Sequence, residues 1–324
     1  MPDALDLARS LPKVVLHDHL DGGLREATLL ELLRERGIEP PAGDAASLGQ
    51  WFDDRAHAGS LVEFLRGFEL TVTAMASPTA LRRVAFEAAE DARSDGALLA
   101  EFRIAPLLFE PYGIAGEAAV EALLEGLSAA PIPCGLIVCA MRHLPESETL
   151  RAAQLAACYR DQGVVAFDLA GAEAGHPPAE HARAIRLARD AGLALTLHAG
   201  EADVADRVLE AVQLGASRIG HGVRLVDALR ERPALVDAVR EAGVHLEVCP
   251  TSNVHTGAAR SLAEHPITDL WRAGISLSYQ TDNRLMSRVT MTSEAADLLA
   301  HTPLTEADLR AMADEALRHA FVKP

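Results

Sequence analysis

The sequence predicts an α/β protein, a closed (β/α)8 barrel of the TIM type with a helical insertion after the first strand. Three observations carry that expectation. Short, nearly continuous apolar runs recur about eight times along the 324 residues, as in parallel strands buried on both faces. Stretches with apolar residues at helical spacing separate them, the alternation of a parallel β/α fold. Histidines and carboxylates collect at the C-terminal ends of the runs, where such a barrel carries its site.

The runs, in order, are "KVVLHDH" (13–19), "LLAEFRIAPL" (98–107), "IPCGLIVCAM" (132–141) and "GVVAFDLAG" (163–171). "LALTLHAGE" (193–201), "SRIGHGV" (217–223), "VHLEVCPTSN" (244–253) and "ISLSYQTDN" (275–283) follow. Helical patterns such as "PAEHARAIRLARDAG" and "EADVADRVLEAVQLGA" lie between them, each with a glycine near its end. The first connection is unusually long. Residues 24–97 hold several helical stretches, among them "GSLVEFLRGFELTVTAM", and an insertion there would overlie the barrel mouth as a lid. With no linker, repeat or low-complexity segment, residues 1–324 read as one domain.

Composition narrows the function. A formal net charge of −17 disfavours a nucleic-acid partner but not a small neutral nucleoside. No apolar run is long enough for a membrane span, and "MPDALDLARSLPK" lacks the form of a signal peptide. Cys134, Cys139, Cys158 and Cys249 show no metal or disulfide spacing, as expected of reduced thiols in the cytoplasm. The sequence does not disclose the oligomeric state.

Side chains two apart on a strand face the same way. His17 and His19 therefore project together at the end of the first run, with Asp18 facing away, and can share a metal ion. His198 and Glu201 end the fifth run, His221 the sixth and Asp282 the eighth. In a barrel all of these converge. Three imidazoles and a carboxylate, His17, His19, His198 and Asp282, suit one zinc ion with room for a water. Glu201, three residues past a ligand, suits a general acid/base role, and His221 suits orienting and deprotonating the water. The remaining histidines (57, 143, 176, 181, 245, 255, 265, 301 and 319) read as structural.

"KVVLHDHLDGG", "DLAG", "LHAGE", "RIGHGV", "CPTSN" and "TDN" resemble, in order and spacing, the adenosine deaminase family of the amidohydrolase superfamily. The resemblance runs from about Lys13 to the last helices. It implies a (β/α)8 barrel with one Zn2+ that hydrolyses the 6-amino group of adenine-type substrates to inosine-type products and ammonia. It implies zinc on His17, His19, His198 and Asp282, with His19 also beside the substrate. Proton donation to purine N1 falls on Glu201, and water orientation on His221. The backbone N–H of Gly171 meets N3, and Asp21 meets the ribose 5′-hydroxyl. Relatives acting on free adenine tend to carry glutamate at that last position, so Asp21 favours a nucleoside, adenosine, over free adenine; a modified nucleoside such as 6-aminodeoxyfutalosine stays an alternative, decided by the 5′-side pocket that residues 24–97 line.

Only Lys13 and Lys323 are lysines, and Lys13 merely leads into the first strand, so a carboxylated lysine bridging two metals is not expected. One departure stands out: "TDNR" replaces the family's usual T-D-D-P, as in some bacterial members. Asn283 then stands where an aspartate contacts purine N7, and its amide can donate to that acceptor directly.

Overall fold

The computed structural model describes residues 4–57 and 61–323. Its strands are β1 Lys13–His19, β2 Ala97–Ile104, β3 Cys134–Met141, β4 Val164–Ala170, β5 Ala194–Ala199, β6 Arg218–His221, β7 His245–Val248 and β8 Leu277–Tyr279. All pair in parallel in the order β1 to β8. The barrel closes where β8 runs on past its end. Asp18 bridges Asp282, the His19 N–H donates to the Asp282 carbonyl at 2.7 Å, and the Asp282 N–H donates to that of His17 at 2.9 Å. Lower down, the Gln280 side chain completes the β1–β8 seam, accepting from the Leu16 N–H at 2.8 Å and donating to the Val14 carbonyl at 3.1 Å.

The strands alternate two kinds of core. Outward side chains join one large apolar cluster with the helices. Much of the inward face is charged: Glu101, Arg103, Asp168, Arg218 and Glu247 are all fully buried. Buried charges are tolerated only when paired, and these are. Arg103 meets Asp168 at 3.0 Å and Glu247 at 2.5 Å, while Arg218 meets Glu101 at 2.6 Å.

The later strands are shorter than the sequence suggested, for identifiable reasons. Pro250 opens a helix, Pro250–His255, straight after β7, and Pro106 opens a 3-10 segment after β2, since proline suits the first turn of a helix but not a ladder. The helix expected over 201–216 begins only at Asp206, and the N–H groups of residues 200–203 before it are held by another side chain, described below.

The 24–97 segment is helical, with helices Glu26–Glu35, Ala45–Ala56, Leu61–Met75 and Pro78–Ser94. Residues 58–60 of that segment lie outside the described residues. Ser77 caps the last helix by accepting from the Ala80 N–H, with Pro78 in its first turn. Helix Leu61–Met75 packs against the turn Leu20–Gly22 and the segment Pro106–Tyr112, both just beyond strand C-termini. Among the described residues no helix is long and apolar enough to cross a membrane, and the four cysteines are unpaired.

Candidate active site

The ends of β1, β5, β6 and β8 bring His17, His198, His221 and Asp282 together, each with a donor atom within 4.8 Å of the others. His19 joins them, its Nε2 lying 3.3 Å from His198 Nε2 and 3.5 Å from Asp282 Oδ1. His17 and His19 share a face as the strand alternation requires, their ring centres 5.3 Å apart. Asp18 points the other way and accepts from Arg284 Nε at 2.6 Å and Thr281 Oγ1 at 3.2 Å.

Whether these residues fit a cation is decided by what stands behind the rings. His17 Nδ1 faces Glu247 Oε2 at 2.9 Å, and His198 Nδ1 faces Asp168 Oδ1 at 3.0 Å. A carboxylate behind each imidazole fixes an Nδ1–H tautomer and leaves the Nε2 lone pair free for a metal. Fully buried His17 Nε2 has no hydrogen-bond partner, which would be costly unless something else meets it. Burial alone would raise the Asp282 carboxyl, but the His17, His221 and His19 imidazoles around it hold it well below the usual carboxylate range. Burial lowers the His19 and His198 imidazoles, keeping them neutral as ligands must be. The donor set is therefore one a divalent metal satisfies.

The backbone bends to build this cluster. His221 and Asp282 hold φ of 63° and 60°, a left-handed conformation that non-glycine residues adopt at a cost and that concentrates at functional sites. Gly220 explains the sequence R-I-G-H: a Cβ there would lie 2.9 Å from His17 Cε1 and 3.2 Å from His198 Cγ.

A family model described as adenosine deaminase matches residues 12–324. An adenosine deaminase of Mycobacterium marinum is 41% identical over 98% of this chain and 92% of its own, and one of Mycobacterium avium is 40% identical over 99% and 93%.

The chain belongs to the adenosine deaminase family.

Among solved structures, a zinc-bound amidohydrolase from Burkholderia ambifaria superposes with a TM-score of 0.86 at 26% identity, covering 100% of this chain and 89% of that one. The Arabidopsis N6-mAMP deaminase gives 0.84 at 26% identity, covering 98% and 95%. The family is metal-dependent, and the metal-ready cluster of this member sits where a (β/α)8 barrel carries its chemistry.

Beside the cluster, Glu201 Oε2 lies 3.5 Å from His221 Nε2, and its other oxygen accepts from Thr256 Oγ1 at 2.8 Å. Asp21 is buried in the turn after β1 with Oδ1 unpartnered, and burial pushes its carboxyl up to about 7. Asn283 packs against that turn, and a Cβ on Gly22 would overlap its side chain at 2.0 Å. Gly171 follows β4 with φ of 92° and is exposed.

The sequence reading missed several members. Asp168 and Glu247 orient the two buried histidines, and Arg103 ties them to each other. Asn253 joins His221 to the rest, its amide 3.1 Å from His221 Nδ1 and 3.4 Å from Glu201 Oε1. Ser252 donates to Asp282 Oδ2 at 2.5 Å. The only signal for the first three was a charge inside an otherwise apolar strand. Asn253 and Ser252 lie in the "CPTSN" motif, to which no role was assigned.

Proposed function

We propose that the protein hydrolytically deaminates adenosine, and 2′-deoxyadenosine, to inosine or 2′-deoxyinosine and ammonia, with one zinc ion held by His17, His19, His198 and Asp282. The observation that carries this reading is the convergence of three imidazole Nε2 atoms and a carboxylate, two of the rings backed by buried carboxylates, beside an acid/base pair, Glu201 and His221. When bound, zinc supplies an activated water, its pKa lowered toward ~7.

The remaining roles fall to the chain. Glu201, in its acid form, donates to N1 of the purine and draws electron density from C6. His221, between Glu201 and the metal ligands, takes a proton from the water that adds to C6. Asp282 aims that water. His221 passes its proton to the amine, the C6–N bond breaks and ammonia leaves, and the proton of the C6 hydroxyl returns to Glu201 as the C6 carbonyl forms. Gly171 N–H meets N3, and the Asn283 amide donates to N7. Asp21, buried and lacking a partner at Oδ1, receives the sugar hydroxyl. The helices of 24–97 form the lid that excludes bulk water from the single barrel domain. The unpaired cysteines fit a cytoplasmic enzyme.

Ultraviolet absorbance tests this directly, because loss of the 6-amino group shifts the purine spectrum. Adenosine should convert rapidly with wild-type protein and not with Glu201→Gln, while Glu201→Gln retains its zinc. Faster turnover of adenine or of 6-aminodeoxyfutalosine than of adenosine would overturn the substrate assignment. Near-normal turnover by Glu201→Gln would overturn the role of Glu201.

A further inference from the structure

We propose that Glu173 is a positioning residue for Glu201, an anion around which the backbone carrying the proton donor is wrapped. Glu173 lies just past Gly171 and is 5% exposed. Its carboxylate collects four successive backbone N–H groups. Gly200 donates to Oε1 at 2.5 Å, while Glu201, Ala202 and Asp203 donate to Oε2 at 2.9, 2.7 and 3.2 Å. A run of N–H groups converging on one anion is a backbone nest, and charge-assisted bonds of this kind are the stronger sort. Here the anion comes from the chain itself.

The nest faces the chemistry. It begins two residues after the metal-facing His198 and has Glu201 as its second member. Without it the four donors would lack a partner even if the helix began earlier, because the first N–H groups of a helix have none within it. The helix begins at Asp206, and the nest leaves 200–205 as a fixed turn that carries the Glu201 side chain to His221 and Asn253. Arg142 anchors the same segment from the other side. It is 1% exposed and donates through Nη2 to the His198 carbonyl and, at 2.8 Å, to that of Leu169. A buried cation on the carbonyl of 198 and a buried anion on the N–H groups of 200–203 thus hold the end of β5 between them. Glu173 touches no reacting atom in this arrangement.

This inference rests on Glu201 being the N1 proton donor. The test measures adenosine kcat and KM, zinc per chain and the pH profile of kcat/KM for Glu173→Gln, with Glu201→Gln as the reference for a lost donor. Glu173→Gln keeps the shape but puts an amide donor against N–H groups. Expected in the single variant are a kcat lowered about 10- to 100-fold, as for supporting residues whose loss costs that range, a KM within about threefold and zinc unchanged at one per chain. The limb of the pH profile that reports the proton donor should move. An unchanged kcat, or a lowered kcat with the pH profile unmoved, overturns the positioning role. If Glu201→Gln itself retains activity, the reading of Glu201 has failed, a different result from an active Glu173→Gln beside a dead Glu201→Gln. Should Glu173→Gln not fold, Glu173→Asp, too short to span four donors, is judged by the same criteria.

Discussion

Gly220→Ala adds one methyl group between the rings of His17 and His198. Gly220 is not among the residues with positive φ, so alanine brings no backbone penalty and the whole cost is steric. The new Cβ would sit 2.9 Å from His17 Cε1, 3.2 Å from His198 Cγ and 3.3 Å from His198 Cα. Carbon atoms rest at about 3.5 Å or more, so the His17 ring must retreat by about 3.5 − 2.9 ≈ 0.6 Å. Metal–ligand distances tolerate only about 0.2 Å. The ring cannot swing away freely, since Nδ1 is pinned to Glu247 at 2.9 Å. The expected result is zinc affinity reduced about 10- to 100-fold, the range seen when ligand orientation is disturbed. A stability loss of about 1–3 kcal/mol from overpacking should accompany it. Competition against a chromophoric chelator gives the affinity, and denaturant unfolding of the metal-free protein gives the stability. Wild-type values for both would refute the claim that Gly220 makes room for the ligand rings.

Asp168→Asn leaves Arg103 with one anionic partner fewer and removes the carboxylate behind His198. Zinc affinity should fall about 10- to 100-fold, read by the same competition. Arg284→Met leaves the Asp18 carboxylate, 1% exposed and bonded to Arg284 at 2.6 Å, without its cation. Breaking such a pair costs about 3–5 kcal/mol, measurable by denaturant unfolding, and adding Asp18→Asn should recover part of it. Burial pushes the Glu294 carboxyl up to about 7 from its usual 4.5. The folded chain therefore holds a proton that the unfolded chain releases between those values. Stability conferred by this group is greatest below about 4.5 and declines as pH rises through 7. Glu294→Gln should flatten that decline in a pH series of unfolding free energies.

The scaffold was legible because its strands are short, mostly apolar runs that end in chemistry-bearing residues. His17, His19, His198, His221 and Asp282 could be placed on strand ends by period-two alternation alone, and Asp18 could be assigned the opposite face. What supports them was hidden. Asp168, Glu247 and Arg103 come from β4, β7 and β2, and nothing local in one strand says that its buried charge meets those of two others across the barrel. β8 shows how close the signal came. Its alternate residues Ser276, Ser278, Gln280 and Asp282 form a polar column, yet only the last attracts attention without knowing that Gln280 stitches β8 to β1. Glu173 was concealed for a different reason: its partners are backbone N–H groups, which carry no side-chain signature. Strand ends were overrun where a proline, as at Pro250, starts a helix directly from the ladder.

The central claim is that one metal ion on His17, His19, His198 and Asp282 enables this chain to deaminate adenosine. Titrating metal-stripped protein with zinc while following the adenosine spectrum tests it most directly. The account predicts no turnover at zero zinc and a rise in proportion to added metal that stops at one ion per chain. Full turnover without metal, or a plateau reached only at two ions per chain, would contradict it.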